Sequence, residues 1–162
     1  MPTYPAGVRE ATPDDVETIV QLVRDLAEYE REPEAAQATP EQIHAALFGP
    51  ESVASCFMAE VDGAPAGMAL WYRTFSTWTG LPGIHLEDLF VLPEHRGSGL
   101  GKALLVALSR ICLDRGWPRL EWDVLDWNEP SIAFYDRLGA LPQDTWIGYR
   151  LSGDALSGLA GS

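Results

Sequence analysis

A mixed α/β domain is predicted from three observations. Segments of strand length are rich in apolar residues, other segments carry apolar stripes at helical spacing, and turn signals separate the two kinds. The order read along the chain is β-α-α-β-β-β-α-β-α-β. At 162 residues the chain is long enough for one domain with a sizeable core and short for two. The expectation is therefore a single domain over 1–162, with an ordered core at about 7–151 and a tail after 152 that is small and polar enough to fray.

The helices come first. Thr12-Pro13-Asp14-Asp15 sets a capping hydroxyl before a proline at the first helical position, with acids in the first turn. Val16, Ile19, Val20, Val23 and Leu26 then repeat as one buried stripe. Thr39-Pro40-Glu41-Gln42 repeats the signal with Gln42 completing a capping box, and Gly49-Pro50 stops the helix after Ile43, Ala46 and Leu47. Residues 56–61, the turn Asp62-Gly63 and residues 67–75 read as a hairpin. Residues 76–83 hold Trp78, two glycines and a proline, and are expected to be a loop. A third strand runs over 84–92. A helix over 99–115 with Leu100, Leu104, Leu108 and Ile111 on one side is closed by Gly116 and Pro118. A strand at 120–125, a helix at 128–138 ending on Gly139, and a last strand at 146–151 complete the order.

Charge narrows the function. Twenty-four Asp and Glu against 11 Lys and Arg give a formal charge of -13, which excludes the cation-rich surfaces that nucleic acids and anionic membranes require. Such a surplus draws in small cations such as amines, although it also serves plain solubility. No apolar run approaches the roughly 18 residues of a membrane span, and Met1-Pro2-Thr3-Tyr4-Pro5 does not read as a secretory signal. The expected address is the cytoplasm. Cys56 and Cys112 lie in separate apolar runs without zinc-ligand spacing, so buried free thiols and no metal are expected.

Arg96-Gly97-Ser98-Gly99-Leu100-Gly101-Lys102 lies between a strand and a helix. Glycines there let a ligand approach the backbone, and the helix start offers unpaired N–H groups and the positive end of its dipole, a combination suited to phosphate. A dinucleotide fingerprint needs glycine where Lys102 stands. A P-loop needs glycine at Arg96 and Ser or Thr at Ala103, so both patterns fail. A tight turn into a helix remains the alternative to phosphate binding.

With a second strand and helix downstream, this loop resembles the acetyl-CoA loop of the GCN5-related N-acetyltransferase superfamily. Leu86-Glu87-Asp88-Leu89-Phe90-Val91 before it and Trp127-Asn128-Glu129-Pro130-Ser131-Ile132-Ala133-Phe134-Tyr135 after it resemble the diamine (spermidine/spermine) acetyltransferases. The similarity runs from about Val8 to Leu151 and takes in Leu26-Ala27-Glu28-Tyr29-Glu30 and Trp78-Thr79-Gly80. The resemblance implies a twisted, mostly antiparallel sheet with a splayed pair of parallel strands, flanked by about four helices. It also implies a homodimer.

The resemblance further implies roles. Val91 pairs with pantetheine, and Arg96, Gly97, Gly99, Gly101 and Lys102 cradle phosphate. Asn128 and Ser131 lie near the cofactor, where helix capping is their other reading. Tyr135 is the general acid for the departing thiolate; by periodicity alone it is a core tyrosine beside Phe134 and Ile132. Glu87 and Asp88 sit inside an apolar strand, where neighbours face opposite sides unless a bulge redirects them. The resemblance makes Glu87 the base or water-positioning residue, with Asp88 holding a cationic amine. Tyr29, Glu30 and Trp78 match positions lining the amine pocket, with an exposed, non-functional reading beside it. His44, His85 and His95 show no triad or metal spacing and read as structural or surface residues.

The implied activity is acetyl transfer from acetyl-CoA to a primary amine of a small cation, by direct attack in a ternary complex. A polyamine or diamine is the first expectation and a lysine-like amino acid such as thialysine the second. A non-catalytic acyl-CoA sensor and an acetyltransferase for protein amines are the rivals.

Overall fold

The computed structural model describes residues 3–162. Five strands form one sheet in the order β1-β2-β3-β4-β5. These are β1 (Val8–Glu10), β2 (Ser55–Val61), β3 (Ala64–Ser76), β4 (Leu81–Val91) and β5 (Leu120–Trp122). The first four are antiparallel neighbours, whereas β5 runs parallel to β4. Helices α1 (Val16–Tyr29) and α2 (Pro40–Phe48) lie between β1 and β2, and α3 (Leu100–Arg115) between β4 and β5.

The hairpin between β2 and β3 turns on Asp62 and Gly63, with φ of 51° and 76°. Two consecutive positive φ values give the mirror-image turn whose twist matches the flanking strands. At the β3–β4 junction the sequence expectation needs correction. Only residues 77–80 form a turn, because pairing continues through Phe75↔Pro82 and Ser76↔Leu81. The ladder outlasts the turn signals: Pro82 begins the second strand rather than interrupting it.

Alternation along β2 and β3 splits the core into two layers. Cys56, Met58, Met68 and Leu70 face one side, where they meet Phe90 and Ile19, Leu22, Leu26 and Leu47 from α1 and α2. Phe57, Ala59, Ala69 and Trp71 face the other side, on which α3 buries Leu104 and Leu108. Each fully buried side chain of this size contributes about 1.5–3 kcal/mol. On α1 the buried stripe includes Leu22, with Val23 at its margin. Cys56 and Cys112 are buried free thiols, as their apolar settings predicted, and burial pushes Cys56 up to about 12.

Both capping expectations can be checked. The Thr39 hydroxyl accepts from Gln42 N at 3.3 Å, and Thr39 N donates to Gln42 Oε1 at 3.0 Å, so this capping box forms. At the other start the roles reverse. A 3₁₀ turn, Pro13–Asp15, precedes α1, and Thr12 N and Oγ1 both donate to Asp15 Oδ2. Arg9 also donates to both Asp15 oxygens, at 2.7 and 2.8 Å, and its Nε reaches Glu60 at 2.7 Å. This network ties β1, α1 and β2 together and holds the Asp15 carboxyl at about 2, below its ordinary 3.8. The unfolded chain takes up the proton first as pH falls, so this stabilisation is complete above about pH 4 and is lost as pH falls through about 2. Asp15→Asn should cost about 1–3 kcal/mol in urea denaturation at pH 7, and the difference from wild type should shrink below pH 3.

Two compact units emerge from the chain, the first ending at Asp123 and the second spanning Val124–Ser162. The second unit holds α4 (Glu129–Arg137) and α5 (Gly153–Ala160). Here two expectations are corrected. The strand at 120–125 is paired only over Leu120–Trp122. The last strand, at 146–151, forms no ladder among the described residues. The tail carries α5: Ser152 precedes a helix in which Asp154 lies in the first turn and Ala155, Leu156, Leu159 and Ala160 favour helical backbone.

Candidate active site

Register creates the site. Pairing runs Leu70↔Asp88 on one side of an irregularity and Trp71↔Leu86 on the other, which leaves Glu87 as the extra residue of a β-bulge. Tyr72 lies opposite His85. Because residues 70 and 72 share a face of β3, the bulge puts His85 and Asp88, three residues apart, on one face of β4. That face is the α1 side, where Phe90 also lies. The redirecting bulge that the adjacent acids required is therefore present.

The acids form a group. Asp88 is half-buried, and burial pushes its carboxyl up to about 6, with the charges of Glu87 and Glu30 adding to the effect. Glu30, just past the C-terminal end of α1, is also raised by burial. The folded chain therefore keeps the Asp88 proton to higher pH than the unfolded chain. Stability falls as pH rises from about 4 to about 6, and the full cost persists above that. Asp88→Asn should stabilise the fold on the order of 2 kcal/mol at pH 7 and little below pH 4, as urea midpoints at the two pH values would read. The same substitution should weaken binding of a cationic substrate.

Arg96 joins the other end of the site. Its guanidinium lies over the rings of Tyr29 and Phe90, 4.9 and 5.4 Å from their centroids, and its Nε donates to the Val91 carbonyl at 3.0 Å. The Arg96 side chain is thus folded toward the end of α1 and occupies the carbonyl expected to meet pantetheine.

The parallel ladder is short. It joins Ile84, His85 and Leu86 to Leu120, Glu121 and Trp122 and then ends. From Glu87 to Val91, β4 has no pairing on that edge among the described residues. Beyond this open edge, Gly97 and Gly99 take φ of 78° and 87°, and Gly99 caps α3. A Cβ built on Gly97, Gly99 or Gly101 meets nothing within 4 Å. Gly101 and the exposed Lys102 lie in the first turn of α3. Open space above amides at a helix start fits a diphosphate, and an unpaired strand edge fits the amides of a pantetheine arm.

The remaining candidates are Trp78 in the first unit and Asn128, Ser131 and Tyr135 in the second. Trp78 is 79% exposed at the tip of the β3–β4 hairpin, and the intervening strand carries it about 20–30 Å along β4 from Asp88. In the second unit, Asn128 is buried and caps α4 by accepting from Ser131 N at 3.4 Å. Tyr135 is half-buried on α4 with its ring 5.5 Å from that of Phe134.

Sequence reasoning missed His85. Its Nε2 lies 3.6 Å from Glu87 Oε2 and 3.9 Å from Asp123 Oδ2. Without the position of the bulge, His85 and Asp88 count as facing opposite sides. The adjacency of two acids in an apolar strand signalled a bulge, but nothing in the sequence located it.

Comparisons with known proteins identify the family. The profile of the Acetyltransferase (GNAT) family matches residues 18–140. Thialysine N-epsilon-acetyltransferase of Sus scrofa is 35% identical over 95% of this chain and 96% of its own length. L-ornithine N5-acetyltransferase of Arabidopsis thaliana is 27% identical over 94% of this chain and 86% of its own. Among solved structures, an integron cassette protein from the mobile metagenome of V. cholerae superposes with a TM-score of 0.80 at 24% identity, covering 96% of this chain and 97% of that one. The chain belongs to the acetyltransferase (GNAT) family and is an N-acetyltransferase.

Proposed function

We propose that the chain transfers acetyl from acetyl-CoA to a terminal primary amine of a small aliphatic cation, by direct attack, in the cytoplasm. The observation that carries this reading is the bulge at Glu87, which sets an acidic group on the strand that leads into the glycine loop. The two units act as one acetyltransferase domain in this reading, supported by a family match that spans residues 18–140.

Glycines 97, 99 and 101 and Lys102 hold the diphosphate, and the Val91 carbonyl exchanges its Arg96 donor for pantetheine. Asn128 and Ser131 contribute from the start of α4. Acetyl-CoA supplies an activated thioester. Asp88 and Glu30, with Tyr29, draw in the cationic amine. An alkylammonium titrates near 10.4, so about one molecule in 10³ is nucleophilic at neutral pH. Direct transfer to a carboxylate near 4.3 costs about 8 kcal/mol, so Glu87 holds a water through which the proton leaves while acyl transfer proceeds. Tyr135 protonates the thiolate; with a phenol near 10 and a thiol near 8.5, that transfer is feasible but weakly driven.

The named relatives move an amino acid with a side-chain amine ahead of the polyamine expected from sequence, since the matched proteins act on thialysine and ornithine. An amine panel with acetyl-CoA, read as thiol release, tests both. Turnover of thialysine, lysine or ornithine above spermidine and putrescine supports the amino-acid reading, and the reverse order restores the polyamine. Activity confined to peptides, or no thiol release with any amine, overturns the proposal.

The homodimer belongs to the same reading. It is implied by the resemblance to the diamine acetyltransferases. Sedimentation equilibrium should give twice the monomer mass.

A further inference from the structure

We infer that His85 is a positioning residue for proton exit, taking up through Glu87 the proton that the ammonium releases and passing it to solvent at Asp123. This rests on the role of Glu87 proposed above. Per turnover the ammonium nitrogen forms one bond to the acetyl carbon as the carbon–sulfur bond breaks, and it loses two protons. One ends on the thiol by way of Tyr135. The other must reach bulk water, and the acids that attract the cation are poor final acceptors for it.

The geometry supplies an exit. One nitrogen, His85 Nε2, faces two carboxylates: Glu87 Oε2 at 3.6 Å and Asp123 Oδ2 at 3.9 Å. Side-chain exposure is 20% for His85, 53% for Glu87 and 97% for Asp123, so the second carboxylate stands in solvent. Both separations exceed a direct hydrogen bond, and a small rotation or one water closes each. An imidazole can accept a proton on the Glu87 side and release it on the Asp123 side near neutral pH, which neither carboxylate does alone. Tyr72 from β3 lies 5.0 Å away, ring to ring, and burial with the charges of Glu87 and Asp123 raises its phenol, so it stays protonated. Glu121 of β5 is opposite His85 in register. The groups facing the imidazole are thus Tyr72, Glu87, Glu121 and Asp123.

The test compares His85→Gln, His85→Ala and Glu87→Gln with wild type. Expected for His85→Gln is a fall in kcat of about 10- to 100-fold, KM values for amine and acetyl-CoA within about twofold, an unchanged melting temperature and loss of the acid limb of the kcat–pH profile. Added imidazole should restore activity to His85→Ala in proportion to its concentration. A full kcat in both His85 variants, or a fall that imidazole leaves untouched, overturns the relay. If either variant fails to fold, a proton inventory on wild type decides: a curved dependence of kcat on deuterium fraction supports a multi-proton relay, and a linear one overturns it. The two readings separate cleanly. Loss of activity in Glu87→Gln with full activity in His85→Gln removes the relay alone, whereas full activity in Glu87→Gln removes the Glu87 role and the relay with it.

Discussion

Glu87→Gln is expected to lower kcat by about 10²- to 10³-fold while leaving the fold and the acetyl-CoA KM near wild type. The substitution is nearly isosteric and falls at the extra residue of the bulge, where the side chain is 53% exposed and packs into neither core layer. On the proposed mechanism it removes the charge that organises water for proton departure and keeps the hydrogen-bonding shape. The loss therefore falls on a step made only in the transition state, the pattern in which kcat and kcat/KM drop together. The basic limb of the pH profile should shift as well, because a rising fraction of free amine makes assisted proton removal unnecessary. An unchanged profile with unchanged kcat removes Glu87 from the reaction.

Substitution in the glycine loop should separate stability from cofactor binding, with opposite signs at two positions. Gly101 lies in the first turn of α3, where alanine is intrinsically better by about 0.5–1 kcal/mol. Nothing stands within 4 Å of an added Cβ there, so Gly101→Ala should raise the melting temperature. On the proposed reading the same methyl group fills the space the diphosphate would take, and the acetyl-CoA KM should rise about tenfold or more, roughly 1.4 kcal/mol of lost binding. At Gly99 the φ of 87° adds strain, so Gly99→Ala should lower both stability, by about 1–2 kcal/mol, and cofactor affinity. If Gly101→Ala stabilises the protein and leaves the acetyl-CoA KM unchanged, the loop is a structural turn and the cradle lies elsewhere.

The contrast between what the sequence predicted and what the fold adds follows from the range of the forces involved. Local chemistry was readable: the Thr39–Gln42 box, the Asp62-Gly63 turn and the glycines on either side of α3 each act within a few residues. The strand at 84–92 and the acids within it were readable too, because apolar residues flank Glu87 and Asp88. What escaped depends on partners distant in sequence. The bulge is a mismatch between β3 and β4, so neither strand alone announces where it falls. His85 acquires its neighbours only through that mismatch and through β5, 35 or more residues downstream. Thr12 reads as a cap, yet Asp15 takes its hydrogen bonds because Arg9 fixes the carboxylate in place. The segment at 146–151 has strand-like composition yet forms no ladder among the described residues, which is information that composition does not carry.

Among the described residues no helix is long and apolar enough to cross a membrane. Titration calorimetry with coenzyme A, on folded wild-type protein, tests the cradle and the open β4 edge together. A saturable heat with one site per chain, weakened in Gly101→Ala, is the predicted result. No saturable heat from protein that melts cooperatively would contradict the whole assignment of loop, edge and acids to acetyl transfer.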